Sequence, residues 1–65
     1  MGVIGSVDFG PGICVMVVDH DPTTTPTEGN KGCMIIVKSA ALPNDGSWYR
    51  KVDDGITTNV VLVSG

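Results

Sequence analysis

The one histidine of this chain, His20, stands between two carboxylates in Asp19-His20-Asp21, and Cys14 and Cys33 are its two thiols. A zinc or transition-metal site needs three or four converging ligands. Neighbouring residues at a strand end point in opposite directions, so Asp19-His20-Asp21 does not close on one ion. It reads as a polar strand terminus, with Asp21 opening a turn before Pro22. Asp53-Asp54-Gly55 shares residue types with a calcium loop but lacks the twelve-residue frame and its terminal bidentate Glu. Hairpin-turn chemistry suits it better, the Asp-Gly pair supplying positive φ angles. A cysteine nucleophile must be exposed beside a base, whereas both thiols here lie inside apolar runs. They are expected to be buried small hydrophobes, and the sequence leaves open whether they are bridged. A serine triad lacks a third partner, and no glycine-rich phosphate loop opens a helix. The expectation is a protein that is not an enzyme, with no cofactor and no metal. Trp48-Tyr49 remains as a stacking surface for a sugar or a protein, or, the plainer reading, as a cap on the small core or part of a subunit contact.

The elements that hold these residues read as strands. Ile13 to Val18 is bounded by Gly10-Pro11-Gly12 and by Asp19-His20-Asp21-Pro22; Cys33 to Val37 is opened by Gly32. Trp48 to Val52 is entered from Pro43-Asn44-Asp45-Gly46, and Val60 to Val63 follows Asp53-Asp54-Gly55. Each run is short, β-branched or aromatic, and punctuated by turn residues. No segment repeats apolar residues at helical spacing. Residues 1–12 read as a Gly-containing N-terminal arm, and residues 19–31, with Pro22 and Pro26, as an extended connector. Residues 32–65 read as a three-strand meander.

Charge and length exclude several function classes. Four basic residues against seven acidic ones give a net charge of -3, too little positive charge to neutralise a run of phosphates, so no nucleic-acid partner is expected. The run Ile13–Val18 is far shorter than the ~20 residues that span a bilayer, and no membrane partner is expected. No basic region followed by an apolar one marks a secretory signal at the start. Met1-Gly2-Val3-Ile4-Gly5-Ser6 fits the loose N-myristoylation pattern, which would suit a lipid-anchored or cytosolic adaptor; the plainer reading is an arm.

The strand pattern carries the main inference. A half-buried strand alternates apolar with polar residues. In the first strand Ile13, Val15 and Val17 lie on one side and Cys14, Met16 and Val18 on the other, so both sides are apolar. The strand from Cys33 and the final strand behave alike, and such strands want cover on both faces. A 65-residue chain has little material for two covers, since a domain of this size buries only about 60% of its unfolded surface. A neighbouring subunit is the simplest remedy. Ile13, Val15, Val17, Met34, Ile36, Trp48 and Tyr49 are the candidate contact residues. Trp48 and Arg50 share one side of their strand and Tyr49 and Lys51 the other, which suits a strand with more solvent access.

Thr25-Pro26-Thr27, Gly32 to Val37, Trp48-Tyr49-Arg50-Lys51 and Asp54-Gly55-Ile56-Thr57-Thr58-Asn59 together resemble a β module of phage fibre and virion-surface proteins, over a little more than half the chain. That module often places Trp after the Asn, where Val60 stands here. The resemblance implies a virion component without an active site, often trimeric. The expected fold is all-β: a small antiparallel meander, sandwich or barrel of four to five short strands with an extended N-terminal arm, stabilised by oligomerisation. The expected role is a capsid decoration (cement) protein bridging neighbouring capsid subunits. Its partners would be the major capsid protein or other virion subunits and copies of itself, a trimer favoured. Its place would be the phage particle surface, with the host cytoplasm during assembly. The alternative is a head- or tail-fibre module that binds a host-surface glycan.

Overall fold

A computed structural model describes residues 3–64. Gly2, on which the acylation pattern depends, lies outside them. Five strands, β1 (Val3–Gly10), β2 (Ile13–Val18), β3 (Met34–Val37), β4 (Trp48–Lys51) and β5 (Val60–Ser64), form one sheet in sequence order. The fold is all-β. β2 and β3 run parallel, with Val15 opposite Met34 and Val18 opposite Val37; every other neighbouring pair is antiparallel.

Three sequence expectations need correction. The N-terminal arm is largely a strand. Pro11 and Gly12 turn β1 back onto β2, and Gly12 takes the positive φ (71°) that the second central position of a type II turn demands. The meander expected over residues 32–65 is present, β3, β4 and β5 being antiparallel in turn, but the whole sheet is mixed: β2 and β3 are parallel, a pairing that needs a crossover of about a dozen residues or more, which residues 19–33 supply. The segment Asp53-Asp54-Gly55 is not a tight hairpin turn; it belongs to a longer loop between β4 and β5, in which the Asp54 carboxylate accepts the Lys31 N–H at 2.8 Å.

The crossover is also a cover. Met16, Val18, Cys33, Ile35, Val37 and Tyr49 form the core on one sheet face. The crossover residues His20, Pro22 and Thr27 are buried against that face. Backbone bonds stitch the crossover to the β4–β5 loop: Thr27 donates to the Thr57 carbonyl at 2.9 Å and Gly55 to the Gly29 carbonyl at 3.0 Å. Gly29 carries φ 122°, a backbone conformation that residues with a Cβ rarely adopt, so glycine is required where the crossover passes over the Met16 side chain. Asn44 ties the β3–β4 loop to the same layer by donating to Asp21 (3.2 Å) and to the Tyr49 hydroxyl (3.1 Å).

Cys14 and Cys33 are joined by a disulfide. This corrects the expectation of buried thiols. The parallel register continues one step before Val15 and Met34 and sets the two cysteines side by side, with Cα atoms 4.8 Å apart, inside the range a disulfide spans. A reading limited to local strand signals cannot supply that pairing.

Two loop carboxylates make the fold acid-sensitive. The Thr23 hydroxyl and N–H hold Asp21 below its ordinary value of 3.8, and the Thr57 hydroxyl followed by the Asn59 amide does the same for Asp53. A carboxyl whose folded pKa is depressed stabilises the fold above its unfolded value and loses that contribution as pH falls through the folded value. The urea midpoint is therefore expected to be insensitive to these groups from neutrality to about pH 4, then to drop. An Asp21→Asn/Asp53→Asn variant should show a shallower drop; an unchanged acid limb would contradict these assignments.

Candidate functional site

Strand alternation leaves the second sheet face for something else. It carries Ile13, Val15 and Val17 from β2, Met34 and Ile36 from β3, and Trp48 and Arg50 from β4. Val7 of β1 stands opposite Val15, and Val61 of β5 opposite Arg50. The apolar surface thus spans all five strands, interrupted on β4 by Arg50, which stands between Met34 and Val61, while Trp48 faces Ser64. Val15, Val17, Met34 and Ile36 are half-buried, while Ile13 is 58% exposed, Val7 56%, Val61 46% and Trp48 41%. No crossover packs on this side among the described residues. Arg50 is the one charged strand side chain on it.

The extent of this face is measurable from strand geometry. Five strands about 4.8 Å apart and about 3.3 Å per residue give a patch on the order of 300–400 Å². Contiguous apolar patches of about that size are the largest a monomer ordinarily shows and are often functional. It is roughly a tenth of the 3811 Å² surface; covered on both partners it buries about 600–800 Å², below the roughly 1,200–2,000 Å² of a standard specific interface, so a stable joint needs further contacts besides it.

Six of the seven expected contact residues, Ile13, Val15, Val17, Met34, Ile36 and Trp48, are brought together here. Tyr49 is not, and that expectation is corrected. It alternates with Trp48 onto the core face, is 7% exposed, and accepts a hydrogen bond from Asn44. Lys51 follows it inward and is fully buried, so β4 is not the more solvated strand that Arg50 and Lys51 suggested. Trp48 and Tyr49 consequently form no joint stacking surface. Val7 and Val61 were missed: extending the same alternation to β5 would have found Val61, whereas Val7 lies in the segment read as an arm, whose Gly5, Ser6 and Asp8 carry no alternation.

The Asp19-His20-Asp21 group is divided among different tasks. His20 Nε2 and the Thr27 hydroxyl share a 2.7 Å hydrogen bond in the interior, Asp19 lies 3.9 Å from Nδ1, and Asp21 is engaged by Thr23 and Asn44. No cluster of three or more His, Cys, Asp or Glu side chains suited to a metal occurs among the described residues.

The buried cation is the feature that sequence reasoning did not anticipate. Lys51 Nζ donates to the Thr27 carbonyl at 2.8 Å and to the Thr57 hydroxyl at 3.2 Å, and that hydroxyl donates in turn to Asp53. Its charge meets the carboxylate through a hydroxyl, and the bond fastens crossover, β4 and the β4–β5 loop at one point. This is scaffold chemistry: it fixes the covered face and leaves the other free.

Compared with protein-family models, with curated proteins and with solved structures, the chain matches none.

Proposed function

We propose that this protein is a non-enzymatic structural subunit of a phage particle, a capsid decoration protein that works as an oligomer bridging neighbouring capsid subunits. The observation that carries this reading is the uncovered apolar face running across all five strands. Water against that face is released when another subunit covers it, and the gain grows with apolar area at roughly 25 cal/mol per Å² before association costs. A subunit seated across a joint adds buried area that expansion or rupture must re-expose, so the barrier to both rises. The disulfide supports a working place outside a reducing cytoplasm. A particle surface in the medium is such a place.

Particles assembled with and without the protein, compared for survival on heating or in low salt, test the reading. Particles carrying the wild-type chain should survive longer. An Ile36→Glu variant, which puts a charge at the centre of the apolar face, should neither bind nor protect. Equal survival, or absence of the chain from purified particles, would contradict the proposal.

A second reading, a fibre or adhesin module for a host-surface glycan, is favoured by one feature, the exposed Trp48 ring beside Arg50. Glycan binding lost in Trp48→Ala with assembly intact would select it.

A further inference from the structure

Among the described residues neither edge strand of the sheet has a partner on its outer side. β1, at one edge, exposes every residue from Ile4 to Gly10 and includes Ile4 (59% exposed) and Phe9 (66%); β5, at the other, exposes Val61, Leu62 and Val63. Free strand edges offer unpaired N–H and C=O groups to any other chain. Proteins that stay single usually blunt them with lysine, proline, inward charges, β-bulges or a covering loop; of these devices β1 has register shifts at Ile4 and Phe9, which leave Gly5 to Asp8 in regular pairing. Neither edge holds a lysine or a proline, and Asp8 is the one charge on the two together.

The strand directions add a second, independent fact. Following the pairings across the sheet, β1 is antiparallel to β2, β2 parallel to β3, and β3, β4 and β5 alternate. β1 and β5 therefore run in opposite directions. When a second copy is set beside the first with the same face forward, β5 of one meets β1 of the next in antiparallel sense, the commoner pairing.

We propose that copies of this chain join head to tail through β5 of one and β1 of the next, extending the sheet from subunit to subunit. The occupant is a second copy because the two edges supply each other's direction, and this arrangement consumes both. A two-fold pairing of β5 with β5 leaves each β1 bare. Head-to-tail contacts close into a ring when the rotation between copies permits, and closure of a continuous sheet turns one face inward. The inference rests on the reading of this protein as an assembling subunit and names the junction through which it assembles.

The test uses two variants at exposed positions, Leu62→Lys on β5 and Ile4→Lys on β1. Leu62 stands opposite Tyr49, off the apolar face, so its lysine challenges the edge and not that surface. Light scattering on the full, oxidised chain reads the mass, and circular dichroism checks that each variant keeps its sheet. The wild-type chain should run at a multiple of 6.7 kDa. Each variant alone should fall to a single copy, and an equimolar mixture should form a pair through the one good edge that each retains. Either variant keeping the wild-type mass, or a mixture that stays single, overturns the junction. If Ile36→Glu dissociates the assembly while both lysine variants leave it intact, the junction is wrong and the assembling-subunit reading stands. A wild-type chain that is already a single copy removes both.

Discussion

Replacing both cysteines, in a Cys14→Ala/Cys33→Ala variant, is expected to lower the unfolding free energy by about 3 kcal/mol, with reductant doing the same to the wild-type chain. The bridge joins residues 19 apart in sequence, and closing a loop of that size restricts the unfolded chain by about that amount. Its place makes the effect large. It staples the start of the parallel pair β2–β3, whose register comprises only four residue pairs and whose strands are separated by the whole crossover. A chain of this length has a total stability of roughly 3–10 kcal/mol, so loss of the bridge removes between about a third and all of it. Urea unfolding followed with and without reductant measures this directly. Coincident midpoints would show that the bridge contributes nothing.

The second large effect is expected at Lys51. In Lys51→Ala the Thr27 carbonyl is left with only the long 3.4 Å bond from the Thr57 N–H, the Thr57 hydroxyl loses one of its three partners, and the volume of a four-carbon stem is vacated. A deprived buried acceptor costs about 1–3 kcal/mol, and a cavity from a long side chain adds to it. The expected loss is about 3 kcal/mol, accompanied by faster amide exchange in the crossover and in the β4–β5 loop. Lys51→Met separates the two contributions. It refills most of the space without donating a hydrogen bond and sheds the cost of desolvating an ammonium; its loss should be the smaller one. An alanine variant as stable as wild type, or less harmed than the methionine variant, would contradict the role given to the ammonium.

The strands from Ile13 to Val63 were legible because each is a short β-branched or aromatic run closed by Gly, Pro or Asp, and their limits agree with β2 to β5 within a residue. β1 was not. Its Gly5, Ser6 and Asp8 break any alternation, and its residues pair with β2 at an exposed edge where packing imposes little pattern. The parallel pairing was hidden for a related reason. Nothing within β2 or β3 specifies direction; the crossover does so, by burying Pro22 and Thr27 on one face. The disulfide and the inward turn of Tyr49 and Lys51 follow from that non-local choice. The two-sided apolar character of β2 and β3 needed only period-two counting, so one uncovered apolar face was visible from sequence. Which of the two faces the chain covers for itself was not.

That an apolar face must be shared between subunits is tested most directly by the mass of the purified full chain in solution, its disulfide intact, at micromolar concentration. The expected result is a discrete multiple of 6.7 kDa that persists on dilution into the low micromolar range. A well-folded species of one copy, unchanged as concentration rises, would contradict it.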